Sequence, residues 1–186
     1  MEKTFYTITV YTENMVGLLN QIAIIFTRRH INIESLTVSK SSLPNIHKFT
    51  ITVESDEEQV IKVVRQIEKR IDVLKAFHYT DDEIIFDEVA LYKIPTDSLL
   101  DNPEIETLMR TYNARIVEVN RNFAAIEMSG SADVIQSLFD ELNKFRVLQF
   151  VRSGRVAITR STQERLSDFL AEMEKKKAKA MQACGK

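Results

Sequence analysis

Asn14 and Gly17 stand three residues apart in the stretch 11-YTENMVGLLNQI-22, where a run that alternates like a strand gives way to one that repeats like a helix. The chain has four glycines in 186 residues, so a glycine at that junction calls for a reason. A helix N-terminus presents free backbone amides and a partial positive charge, which suit a carboxylate. A glycine there lets a ligand approach the main chain with no Cβ in the way. The Asn14 side chain both accepts and donates, so it can meet an ammonium with its carbonyl oxygen or a carboxylate with its amide. Together these groups suit a free amino acid. A plainer reading fits the same residues: Asn14 caps the helix, and Gly17 lets helix and sheet pack closely.

Other chemistry finds little support. His30, His47 and His78 have no metal-ligand spacing, and each is expected to be structural or exposed. Asp81-Asp82 falls in a connecting stretch, and Asp56-Glu57-Glu58 opens a helix, where carboxylates answer the helix dipole without any catalysis. No Gly-x-Gly-x-x-Gly or P-loop pattern occurs. No catalytic residues, metal or cofactor are therefore assigned to this chain. Net charge is −2, which offers no basic field for nucleic acid or an anionic membrane. No apolar run approaches the ~20 residues of a membrane span. The one cysteine, Cys184, cannot build a disulfide framework, and the opening MEKTFYTITVY does not read as a secretion signal, so a cytoplasmic setting is expected.

The elements that must hold the 14–17 turn follow from periodicity. Residues 4–11 read as a strand, 18–29 as a helix, 31–38 as a strand, 39–46 as a loop and 47–54 as a strand. A capping box from Ser55 opens a helix with Val60, Ile61, Val64, Ile67 and Ile71 inward, and 73–79 closes the unit as a strand. The second half repeats that order. Strand 88–94 ends at Pro95, a helix starts at Asn102-Pro103, strands 114–119 and 123–128 follow, then a helix over 131–145 and a strand over 147–151. Val60, Ile61, Val64, Ile71, Val73 and Leu74 match Val134, Ile135, Leu138, Phe145, Val147 and Leu148 at an offset of 74, and the middle strands match at 75. The 39–46 loop accounts for the larger offset, near 82, of the second strands, which favours duplication.

The expected fold is α+β: two tandem ferredoxin-like βαββαβ domains, each a four-stranded antiparallel sheet with two helices on one face. The expected division is residues 1–80, 81–160, and a C-terminal helix and basic tail over 161–186. The other face of each sheet is expected to be open to solvent or to another subunit, and a homodimer or larger assembly is expected. Residues 152–160, RSGRVAITR, read as an extra strand, and Leu166, Phe169, Leu170 and Met173 mark a stripe on a helix over 162–178.

Val10 to Asn14, then 16-VGLL-19 and 31-INIESLTV-38, resemble the N-terminal ACT domain of the acetolactate synthase (acetohydroxyacid synthase) small subunit. The NIESLTV run is the most specific part, because a generic ACT domain has the asparagine and glycine without it. 73-VLK-75, 91-LYKI-94 and 152-RSGRVAITR-160 extend the likeness over roughly residues 3–160. The resemblance implies a non-catalytic regulatory subunit that binds a catalytic subunit carrying thiamine diphosphate, magnesium and often FAD. It also implies activation of that subunit and feedback inhibition by valine or another branched-chain amino acid.

In the family the effector sits between two ACT domains. Carried over, Asn14 and Gly17 fall on the turn contacts. Asn32 and Ile33 fall on second-strand contacts from the facing chain. Met15, Val16 and Leu18 supply amides or line the pocket. Three positions depart: His30 stands where members often have glycine, Gln21 where an arginine is common, and Lys48 where the third strand usually has arginine. The second half has 94-IPTDSLLDNPEI-105 in place of an Asn-x-x-Gly turn and is expected to bind no effector, and to contact the catalytic subunit instead.

Three other readings compete. An ACT regulator of a different enzyme shares the turn. An RNA-recognition module shares the strand order, but HKFTITV and NFAAIEM lack its aromatic pattern. A small acylphosphatase-like hydrolase would need an arginine that TENMVG does not supply.

Overall fold

Alternation builds the first strand. In β1 (Thr4–Glu13), Tyr6, Ile8 and Val10 are buried on one face, under two helices. The computed structural model describes residues 3–162 and, beyond them, Leu166, Asp168, Phe169 and Ala171. Helix α1 (Leu18–Thr27) buries Leu18, Ile22, Ile25 and Phe26, and α2 (Glu57–Ile67) buries Val60, Val63, Val64 and Ile67. With β2 (Ser35–Lys40), β3 (Ile46–Ser55) and β4 (Val73–Tyr79) they complete an antiparallel sheet in the order β2-β3-β1-β4. The α2 cap is Asp56, which accepts from the Gln59 amide at 2.9 Å, one residue after the expected Ser55. Ile71, expected inward, lies past the helix end and is fully exposed.

The second half builds the same sheet. It comprises β5 (Ile84–Pro95), α3 (Thr96–Asp101), α4 (Pro103–Thr111), β6 (Arg115–Val119), β7 (Phe123–Gly130), α5 (Ala132–Asn143) and β8 (Gln149–Arg152). Its order, β6-β7-β5-β8, is that of the first sheet. The fold is thus α+β with tandem ferredoxin-like units. The buried helix residues align at an offset of 75 rather than the expected 74: Val60 with Ile135, Val63 with Leu138, and Ile67 with Leu142. Val134 therefore faces out. The Tyr92 side chain fills this second core and donates to the Ile135 carbonyl at 2.8 Å, and burial pushes its phenol up to about 12.

The back of the first sheet is not open. Thr7, Thr9, Thr50 and Thr52 lie there and are all buried. The cover is the same chain: β9 (Val156–Thr159), paired with the first third of β5, and the two residues before it. Gly154 passes so close that a Cβ would stand 2.6 Å from Thr37 Oγ1 and 3.3 Å from Ser35. Lys48, on β3, donates to the Ala157 carbonyl at 2.6 Å. Arg155 is 7% exposed and donates to Thr7 Oγ1 at 3.2 Å and to Asp81 Oδ1 at 2.6 Å. Its guanidinium stands 3.8 Å from the Phe86 ring centroid, and its Nε 3.6 Å from Glu88. Glu88 is itself buried; its Oε2 is 3.1 Å from Arg152 Nε, in ion-pair range but outside hydrogen-bond geometry. Asp81, read in sequence as a connecting carboxylate, is thus half of the clasp between the two sheets.

Arg155 and Glu88 are both buried, and removing one partner of such a pair costs on the order of 3 kcal/mol, while Asp81, at 46% exposed, adds less. Arg155→Met is expected to lower the thermal midpoint by roughly 5–10 °C. Gly154→Val should act in the same direction through the clash with Thr37. Circular dichroism melting of Gly154→Ala alone and with Thr37→Ala checks the contact. The second change should restore part of the loss, and two independent losses would contradict it.

Candidate functional site

The 14–17 turn is held at both ends and unused in the middle. At its start, the Glu13 amide donates to Asp72 O at 2.9 Å and the Met15 amide to Glu13 O at 3.0 Å. At its end, Gly17 caps α1 with φ +84 and no side-chain cap bond. That left-handed angle is why glycine stands here; among the described glycines it alone has a positive φ. An added Cβ at Gly17 would meet nothing within 4 Å. Close helix–sheet packing is therefore not its role. Asn14 is not the cap either, and its side chain makes no hydrogen bond among the described residues. The amides of Val16 and Gly17 likewise have no partner among the described residues. The first turn of α1 carries no acidic residue, so its positive end is not already neutralised.

The side chains divide. Val16 is fully exposed and Met15 half exposed, with Leu19 beside them on the first turn. Leu18 is buried in the core, so it can offer only its amide. A cavity of about 470 Å³ at the turn is lined by Glu13, Asn14, Met15, Pro44, Asn45, Ile46 and Leu74. It takes in two of the seven expected contacts. Asn32 and Ile33 do not line it. They precede β2, which begins at Ser35 rather than at the expected Ile31. Asn32 donates to Glu34 Oε1 at 2.9 Å, and Ile33 packs partly on the core. Asn45, with φ +61, went unnoticed in the sequence, although Pro44-Asn45 is a turn signal.

His30 settles one departure. Its φ is +54, and the Ile31 amide donates to Phe26 O while the His30 amide donates to Thr27 O. This is a Schellman ending, with histidine in the left-handed place that glycine usually takes. Asn113 ends α4 in the same way, with Ala114 donating to Met109 O. The second unit differs at its strand-to-helix junction. Pro95 leads directly into α3, the Thr96 amide donates to Asn122 O, and Thr96 Oγ1 donates to Asn120 O at 2.7 Å. Both Thr96 donors are thus taken up within the chain.

Residues 8–75 match the family described as the AHAS small subunit-like ACT domain, and residues 87–161 match the small subunit of acetolactate synthase. The acetolactate synthase small subunit of Bacillus subtilis is 32% identical over 161 residues, which are 86% of this chain and 93% of that protein. The chain belongs to the acetolactate synthase small-subunit family. A probable small subunit from Archaeoglobus fulgidus is also 32% identical, over 86% of this chain and 99% of its own length. The crystal structure of the Thermotoga maritima small subunit superposes with a TM-score of 0.77 at 27% identity, covering 86% of this chain and 99% of that one. The fold and the turn therefore sit in a family of small subunits. Among the described residues no group of His, Cys, Asp or Glu could hold a metal, and no helix is long and apolar enough to cross a membrane.

Gly17→Ala separates backbone from packing. With no neighbour to strike, it should cost only the left-handed conformation, about 1 kcal/mol. The expected melting change is roughly 2–4 °C. A much larger fall would mean that the turn packs against something.

Proposed function

We propose that this chain is the regulatory small subunit of an acetolactate synthase and binds a branched-chain amino acid, valine before leucine or isoleucine, at the 14–17 turn. The observation that carries this reading is the set of unused donors around Gly17, in front of a helix end with no acidic residue and no Cβ. The effector carboxylate takes the free amides of Val16 and Gly17, and that of Leu18 in exchange for its long bond to Met15 O at 3.5 Å. Asn14 meets the ammonium or the carboxylate. Met15 and Val16 face the aliphatic side chain. Asn32 and Ile33 come from a second copy, which accounts for their absence from the cavity that holds Asn14 and Met15. The effector then stabilises a homodimer and acts through its different affinity for two states of the complex.

The chain itself does no catalysis. Thiamine diphosphate, magnesium and any FAD belong to the catalytic partner, and the complex works in the cytoplasm. Duties divide as residues 1–80 for effector and dimer, and 81–160 for the catalytic subunit. The second division draws support from the outer face of the second sheet, where Val89, Leu91 and Val151 are exposed on adjacent strands, while the matching face of the first sheet is covered.

Calorimetry of the purified chain with valine, leucine and isoleucine, beside an activity assay with its catalytic partner, tests the reading. We expect saturable binding, activation of the partner, and inhibition by the same amino acid. Gly17→Asp places a carboxylate against that of the effector and should abolish inhibition while keeping activation. A Gly17→Asp complex as sensitive as the parent would show the site is elsewhere.

A further inference from the structure

The back of the first sheet has two ends. Residues 154–159 cover the threonine end, as described above. The other end is aromatic: Tyr11 on β1 faces Phe77 on β4, with ring centroids 6.4 Å apart, and Tyr79 follows at 6.3 Å from Phe77. Tyr79 is already packed against Ile84 and Ala157, and Tyr11 and Phe77 beside it are half-buried; an apolar patch of this kind is an association surface unless something covers it. Two residues from beyond the second unit lie on it. Leu166 is 2% exposed, and it walls a cavity of about 300 Å³ together with Tyr11, Phe77, Tyr79 and Ala157. The Phe169 ring lies 5.6 Å from Lys75 Nζ, and Lys75 precedes Phe77 by one place on the same face of β4. Leu166 and Phe169 are both helical, and their spacing of three puts them on one side of a helix.

These residues fall after the last family-matched position, residue 161. The Bacillus and Archaeoglobus proteins are matched over 93% and 99% of their lengths by 86% of this chain, so this chain carries residues that those matches leave out. Leu166 and Phe169 meet the first sheet.

We propose that Leu166 and Phe169, on one side of a helix beyond Ser161, form an intramolecular cover over the aromatic end of the first sheet's back face. The cover occupies the reverse side of the strand that ends in the 14–17 turn. The occupant is the chain's own segment, independent of which amino acid the turn binds.

Hydrogen exchange read by mass spectrometry tests this, on the full chain, on Phe169→Ala, on Leu166→Asp, and on a chain ending at Ser161. In the three altered proteins exchange across 73–79 should quicken on the order of tenfold or more, while 123–130 in the second sheet stays protected. Fluorescence of a hydrophobic dye should rise several-fold. Adding the peptide 162–186 to the shortened chain should restore protection at 73–79. Unchanged exchange and dye binding would overturn the proposal. So would equal loss of protection in both sheets, since the segment would then be part of the global fold rather than a cover. The point variants decide the matter if the shortened chain does not fold.

Discussion

Arg155 is the group on which the arrangement of the two sheets depends. A guanidinium that is 7% exposed must have its charge answered locally, and here Asp81, Glu88, Thr7 and the Phe86 ring answer it together. Thr7 belongs to the first sheet, Asp81 to the connection, and Phe86 and Glu88 to the first half of β5. Burial is what makes the arrangement specific. In water the same pairs would be worth little, but without water each partner left alone is costly. Gly154 is the steric side of the same contact, since only a residue without Cβ lets the chain pass Thr37 on its way to Arg155.

At the far end of β1 the amides of Val16 and Gly17 have no partner among the described residues. Thr96, after β5, has both of its donors paired. Two copies of one fold thus differ in two respects, the strand-to-helix junction and the back of the sheet. The first is open at its strand-to-helix junction and closed on its back. The second is closed at the junction and presents an apolar back.

Much of this was legible. The spacing of Leu18, Ile22, Ile25 and Phe26 is a helix face, and it is buried as such. The duplication was visible because one loop explains its offset, yet its helix register came out one residue off, since Val60 and Ile61 are adjacent apolar residues and only burial chooses between them. The start of β2 was misplaced because Ile31 and Ile33 alternate like a strand while packing on the core from an irregular lead-in. The role of Gly17 was ambiguous in sequence, where packing and ligand approach both call for a missing Cβ; the structure gives it a φ of +84 and no neighbour within 4 Å, which removes the packing reading. The cover on the first sheet was invisible, because Arg155 and Thr7 are 148 positions apart and no local pattern joins them.

Strand β5 has a mechanical consequence. It runs through both halves of the molecule: Ile84 to Asp87 pair with β9 against the first sheet, and Ala90 to Lys93 pair with β8 inside the second. At about 3.3 Å per residue this is one rod roughly 40 Å long. The halves are not beads on a string. A tilt imposed where the rod touches one half is delivered to the other as a rotation of its central strand, with no slack hinge to absorb it.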